Sequence, residues 1–521
     1  MPKLVDVESV RAAWRGGSEI ALFDLREEGP YSLSHPFFAV SLPLAQIELR
    51  IRDLVPRLSA PVVVYDNGEG LTARAAARIE ALGYSNVSVL DGGLAAYART
   101  GEVFRDVNVP SKAFGELVES IRHTPSLPAE EIAELIAGNP DVVVLDARRF
   151  EEYHTMSIPR GVSVPGGELA LRVHDLAPSP DTTIVVNCAG RTRSIIGTQT
   201  LVNAGVTNRV VALRNGTIGW TLAGLALETG RTGRFGAVSA EAHALARDRA
   251  AAWAQKVGVA VIDASTLALY RSEAGARTLH LLDVRTPQEY AEGHPQGFVS
   301  APGGQLVQAT DEWVAVRGAR LVLFDDDGVR ARMTASWLVQ MGWDASVVAE
   351  GAIPSTESGL PVPVAIPAPD VPWLDPAGLA ALGDTVAIVD LGPSPVYRRG
   401  HIPGAWFVAG TNLADLAKLP EGPIVLTSQD GRLAAAHAQD VAASTARPVY
   451  WLKGGNGGWQ ASGRPLSADA PRFVRPPDDV YKRPYEGTDN PREPMQQYIA
   501  WELELVAQLA NDGISRFHVV R

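Results

Sequence analysis

Four times along the chain a short apolar run ends in aspartate: IALFD at Asp24, VVVLD at Asp146, LHLLD at Asp283 and VAIVD at Asp390. Unbroken apolar runs of strand length, rather than alternating ones, suit a parallel sheet covered on both faces. Arginine follows two residues later in the first three, as Arg26, Arg148 and Arg285; Gly392 stands there in the fourth. A second apolar run and a polar loop come next: PVVVYDNGEG, TIVVNCAGRT, RLVLFDDDGV and PIVLTSQDGR. From Asp24 to Asp66, Asp146 to Cys188 and Asp283 to Asp325 the spacing is the same 42 residues, and from Asp390 to Ser428 it is 38. An Ala-rich, helix-compatible stretch follows each loop, then another apolar run (NVSVL, RVVAL, ASVVA, PVYWL) and a glycine-containing turn. The first three helical stretches close on Gly83, Gly205 and Gly342, at positions where glycine takes a left-handed cap without steric cost.

Strand, crossover, strand, loop, helix, strand, repeated four times, predicts an α/β protein of four tandem domains, each a parallel sheet flanked by helices. The 521 residues accommodate four such units of about 100 residues. We place the domains at 1–105, 126–230, 258–355 and 372–466, followed by a tail at 467–521 with one helix. Within 230–261 the run SAEAHALARDRAAAWAQKVG predicts a helix packed between repeats, and the Pro-rich 355–372 predicts an extended connector. The tail helix is placed near Pro494–Ala510, with Tyr498, Trp501, Leu503, Leu505 and Leu509 as its apolar, domain-docking face.

A formal charge of −12 disfavours nucleic-acid or anionic-membrane partners. No run approaches the ~20 apolar residues of a membrane span, and MPKLVDVESVRAAW has no signal-peptide core. These features predict a soluble, cytoplasmic protein. The ten histidines show no HxH or HxxxH pairing, and no GxxxxGK[ST] loop occurs, so neither a metal nor a cofactor is expected. The single cysteine, Cys188, excludes a disulfide within the chain and any Cys-rich metal cluster.

Cys188 is the first residue past the second repeat's strand, in the loop Cys188-Ala189-Gly190-Arg191-Thr192-Arg193-Ser194. That is the carboxyl end of a sheet strand and the start of a helix, the place where open α/β sheets bind ligands. Loop N–H groups, the helix dipole and the two arginines all favour an anion, and predict a thiol pKa below its usual ~8.5.

The CAGRTRS loop, the DAR at Asp146, the segment RRFEEYHTMSIPRGVSVPGG and the exit RNGTIGW at Arg214–Trp220 together resemble a rhodanese domain of the sulfurtransferase superfamily. HIPGA at His401–Ala405 and GGNGGW at Gly454–Trp459 resemble it in the fourth repeat, and DVRTPQEYAEGHPQG from Asp283 in the third. The resemblance implies that Cys188 forms a persulfide by double displacement. It would take a sulfane sulfur from a small-molecule donor such as thiosulfate and pass it to cyanide or a small thiol. Ala189 to Ser194 would bind substrate, with Arg191 and Arg193 pairing donor sulfonate oxygens and Thr192 and Ser194 adding hydroxyls or capping the helix. Asp146 and Arg148 would brace the loop from below, Arg148 with a possible direct substrate contact. Asp66, Asp325 and Ser428 stand at the cysteine position in the other repeats and cannot carry sulfur; an aspartate there fills the anion site with its own carboxylate. Ser157 and Arg160, where the family often has His and Gly, read as loop-surface variation bearing on substrate access.

Two alternatives belong to other classes. A phosphatase loop of related fold places arginine after five intervening residues, where this chain has Ser194; Arg193 comes one position early. A scaffold or sulfur-relay protein would use the cysteine-free repeats to bind partners.

Overall fold

The computed structural model describes residues 2–521. The chain divides into two compact units, each discontinuous in sequence. One comprises residues 1–7, 21–107 and 362–481; the other comprises 8–20, 108–361 and 482–521.

The first unit holds the first and fourth repeats. The first repeat forms a parallel sheet in the order Lys3–Val5, Val87–Leu90, Val62–Tyr65, Ala21–Asp24, Val40–Ser41. The fourth forms a six-stranded parallel sheet whose last member is Arg472–Phe473, so the segment read as tail contributes a strand.

The second unit holds the second and third repeats, the C-terminal helix and residues 8–20, which the sequence pattern places with the first repeat. Arg11 and Asp512, both buried, tie residues 8–20 to the end of the C-terminal helix at 2.6 Å. The second repeat's parallel sheet runs Gly161–Ser163, Val142–Asp146, Thr183–Asn187, Val210–Leu213, Ser126–Leu127. Neighbouring residues of its central strands face opposite cores. Leu145, Ile184 and Val186 pack with Leu169 and Leu201, whereas Val144 and Val185 pack with Ile132 and Trp220. Both sides are therefore covered, which is why the strands read as unbroken apolar runs.

The helix predicted between repeats spans Ala240–Val257 and sets Ala246, Ala250 and Trp253 against Ala170, Leu171 and Met333. The third repeat's parallel sheet includes Leu279–Asp283 and Arg320–Phe324. Its helix Arg330–Gln340 joins the second repeat in one core with Phe114, Ile195 and Trp337. The C-terminal helix spans Arg492–Asp512 and buries Tyr498, Trp501, Leu505 and Leu509; Leu503, expected on that face, is 57% exposed. Among the described residues no helix is long and apolar enough to cross a membrane.

Candidate active site around the single cysteine

Parallel pairing aligns Asn187 with Asp146, so Cys188 emerges at the carboxyl end of the central strand. Helix Thr192–Asn203 begins four residues later. The loop between them is held from three sides.

From below, Asp146 is fully buried and accepts from Arg148 Nε (2.8 Å), Arg148 Nη2 (2.6 Å) and Asn187 Nδ2 (3.0 Å). Arg148 also donates to the Met156 carbonyl. Its guanidinium is thus committed to bracing the loop, although it borders the adjoining cavity. From the side, Thr217 N donates to Cys188 O (2.9 Å) and Ile218 N to Ala189 O (3.0 Å). This contact needs glycine at 216: φ is +54°, and a Cβ would lie 2.4 Å from Cys188 O. From above, the C-terminal helix lies so close that a Cβ on Gly190 would be 3.2 Å from Tyr498 Cε1 and 3.4 Å from Glu502 Oε2.

Cys188 Sγ donates to Ser194 Oγ at 3.4 Å, and Ser194 Oγ donates to the Arg191 carbonyl at 2.9 Å. Thr192 Oγ1 is buried without a hydrogen-bond partner among the described residues, so it does not cap the helix. The two loop arginines are both engaged. Arg191 Nε and Nη2 donate to Glu116 at 2.7 and 2.8 Å, and the same side chain reaches Glu119 and Asn215. Arg193 forms a bidentate pair with Glu152 at 2.7 and 2.8 Å. The expected arginine forks for a donor sulfonate are therefore occupied by carboxylates.

The third repeat explains the Arg193 pair. There Arg330, five residues past Asp325, makes the same bidentate contact with Glu289 at 2.6 and 3.0 Å. A pair that persists without the cysteine belongs to the loop's architecture. Arg191 has no such counterpart, since Glu69, Gly328 and Gly431 occupy its position in the other repeats.

The expected low thiol pKa is reversed in this closed arrangement. Cys188 is 1% exposed, and burial pushes its thiol up. Arg193 and the Ser194 hydroxyl and amide pull it down, while Glu502 adds to the rise. The helix and arginine field invoked from sequence is present, but its cations are largely neutralised by Glu116 and Glu152.

The cysteine-free loops show what the same backbone does with oxygen. Asp66 accepts from Gly68 N (3.0 Å) and Leu71 N (2.6 Å), and Asp325 from Gly328 N (3.1 Å) and Ala331 N (2.8 Å). Ser428 Oγ accepts from Ala434 N at 3.4 Å. The carboxylate expected in the anion site is there, held by the loop amides.

Ser157 and Arg160 are placed differently from the surface-access reading. In the other repeats a tyrosine stacks on a histidine four residues on: Tyr31–His35 at 4.0 Å, Tyr290–His294 at 3.7 Å and Tyr397–His401 at 4.3 Å. Ser157 takes the histidine's place beside Tyr153, fully buried, its hydroxyl without a partner. Arg160, at φ +63°, donates to the carbonyls of Ile136, Asn139, Pro140 and Val142, at the amino end of the strand whose other end carries Asp146. Replacing an unpaired buried hydroxyl by hydrogen is favourable. Ser157→Ala is therefore expected to stabilise the protein by about 1 kcal/mol, read as a higher urea midpoint; an unchanged or lower midpoint contradicts it.

A cavity of about 540 Å³ adjoins the loop on the Arg193 side, lined among others by Arg149, Glu152, Gln305, Arg483 and Tyr485. Sequence reasoning missed Lys112, Glu116, Tyr485 and Glu502, and read Tyr498 only as part of the docking face of the tail helix. The readable signal was Glu502 itself, a charged residue inside the stripe Tyr498, Trp501, Leu505, Leu509.

A family model described as the rhodanese-like domain matches residues 7–100, 128–223, 266–354 and 377–462. The chain belongs to the rhodanese-like domain family. A rhodanese of known structure, a thiosulfate sulfurtransferase from Pseudomonas aeruginosa, is 51% identical, with a TM-score of 0.97 over 100% of both chains. A curated relative, the thiosulfate sulfurtransferase of Azotobacter vinelandii, is 26% identical over 175 residues. That match covers 29% of this chain and 64% of the relative, so the chain spans just under two thirds of that relative's length.

Proposed function

We propose that the protein is a rhodanese-type sulfurtransferase that carries a sulfane sulfur on Cys188, from thiosulfate or a related donor to cyanide or a small thiol. The contrast among the four loops carries this reading. In three of them an oxygen side chain takes the loop N–H groups; in the second repeat the same position holds the chain's only thiol, against the Ser194 hydroxyl. The similarity to two thiosulfate sulfurtransferases supports the same class.

In the first half-reaction the Cys188 thiolate attacks the outer sulfur of thiosulfate. A Cys188 S–S bond forms, the donor's S–S bond breaks, and sulfite leaves with the electron pair. The terminal persulfide anion is stabilised by N–H donors of the loop between Ala189 and Ser194. In the second half-reaction the cyanide carbon attacks the terminal sulfur, thiocyanate leaves, and the thiolate is restored. A covalent intermediate of this kind gives ping-pong kinetics. Arg193 contributes field to the sulfur, while Asp146 and Arg148 hold the loop's shape. No second thiol is available for resolution, so the sulfur leaves on an external acceptor.

Intact mass after thiosulfate treatment is expected to rise by about 32 Da, one added sulfur, and cyanide is expected to remove it. Cys188→Ser is expected to show neither change. An unmodified Cys188 after treatment with thiosulfate and with a polysulfide donor overturns the proposal.

A further inference from the structure

We propose that Glu502, on the C-terminal helix, is a positioning residue that sets the ionisation of Cys188 from across the Gly190 loop. The inference rests on Cys188 being the nucleophile.

Glu502 has no exposed surface. Its Oε1 accepts from Tyr498 OH at 2.8 Å, whereas Oε2 has no hydrogen-bond partner among the described residues. That oxygen is the one directed at the loop, 3.4 Å from where a Gly190 Cβ would stand. A buried carboxyl oxygen without a donor is costly if charged, unless it shares its environment with groups that answer to its charge.

The surrounding groups are of both signs. Lys112 and Arg191 attract the carboxylate, Glu116 repels it, and Tyr498 donates to it. Lys112 is itself enclosed by Tyr485, Tyr498 and Trp501, with Nζ 5.6, 5.2 and 5.5 Å from the ring centres. Glu116 and Glu119 pair with Arg191, and Glu152 pairs with Arg193, the cation nearest in influence to Cys188. Of these carboxylates, Glu502 is the one with a buried oxygen left unpaired among the described residues. Burial first, and then Glu116, push the Glu502 carboxyl up to about 8, and Glu502 in turn opposes the thiolate.

Two like charges in one site resist being present together, so the thiol's titration depends on the charge at 502. With Glu502 protonated, the thiolate forms unopposed; once Glu502 has ionised, thiolate formation is pushed to higher pH. A neutral residue at 502 therefore lowers the thiol's midpoint.

The chain's single cysteine makes this directly measurable. The ultraviolet thiolate absorbance of the full-length protein, minus that of Cys188→Ser, reports Cys188 alone across a pH titration. In Glu502→Gln, which keeps an acceptor for Tyr498 OH, the midpoint is expected to fall by about one pH unit or more. Glu502→Leu is expected to fall likewise, and Glu502→Asp, which keeps the charge, to stay near the wild-type value. Either neutral variant, once shown to be folded by its circular dichroism, tests the proposal; a wild-type midpoint in it overturns the assignment. The readout is thiol ionisation, so its failure is distinct from failure of Cys188 to accept sulfur.

Discussion

Arg148→Ala is expected to destabilise the protein by about 3–5 kcal/mol, the range for removing one partner of a buried ion pair. Asp146 and Arg148 are both fully buried, so the substitution leaves the Asp146 carboxylate without its counter-charge. Three of its contacts come from Arg148: the backbone N at 3.1 Å, Nε at 2.8 Å and Nη2 at 2.6 Å. The substitution removes two of them and also strips the Met156 carbonyl of its donor. The fourth repeat shows the arrangement needed without the arginine. Asp390 is met by Gly392 N at 2.8 Å and by Asn456 Nδ2 at 2.7 Å, and burial still pushes its carboxyl up. Denaturant unfolding, with the midpoint shifted and the slope unchanged, is the measurement. Asp146→Leu combined with Arg148→Met is expected to recover part of the loss, because it leaves neither charge unpaired. A loss below about 1 kcal/mol in Arg148→Ala, the range of exposed pairs, contradicts this account.

Gly216→Ala is expected to reduce sulfur transfer by about 100-fold, the penalty of displacing reacting groups by around an ångström. The added Cβ would sit 2.4 Å from Cys188 O and 2.7 Å from both Ala189 C and Gly190 O. All three are backbone atoms of the cysteine loop, so no side chain can swing aside to relieve the contact. The left-handed φ adds its own cost of about 1 kcal/mol or more. The same construction occurs at Gly93, 2.5 Å by the same measure from Asp66 O, and at Gly455, 2.0 Å from Ser428 O. Its recurrence in loops without cysteine assigns the glycine to loop shape rather than to sulfur chemistry. Steady-state thiosulfate-to-cyanide transfer measured beside thermal unfolding tests the prediction. Near-wild-type kcat/KM for thiosulfate would sink it.

Much of this molecule was legible from its sequence because the informative contacts are local or periodic. Strands buried on both faces must be unbroken apolar runs, so the fourfold pattern marked them. The DAR pair connects residues two apart, and the cysteine loop is contiguous, so both were readable in a line of text. The Cβ-intolerant glycine lies in the RNG turn singled out by its repetition. The charged residues that pack around the loop from distant segments were not readable in that way. Glu116 and Lys112 sit on the helix Val109–Arg122, and Glu502 on Arg492–Asp512. Charged residues on a helix ordinarily face water, and only their packing partners reveal otherwise.

The sequence by itself determined four α/β repeats, the carboxyl-end position of Cys188 and the exchange of sulfur for oxygen in the other three loops. Each follows from short-range sterics and from the apolar periodicity of covered strands. Only the tertiary structure decided that both loop arginines are bound to carboxylates, that Ser157 is buried, and that the C-terminal helix closes over the loop. Those outcomes depend on burial and on charge pairs between segments far apart in the chain. A thiol's ionisation is set by the net of desolvation and field at one point in space. No stretch of sequence around Cys188 contains that net, because Glu502 adds to it from a helix the sequence leaves distant.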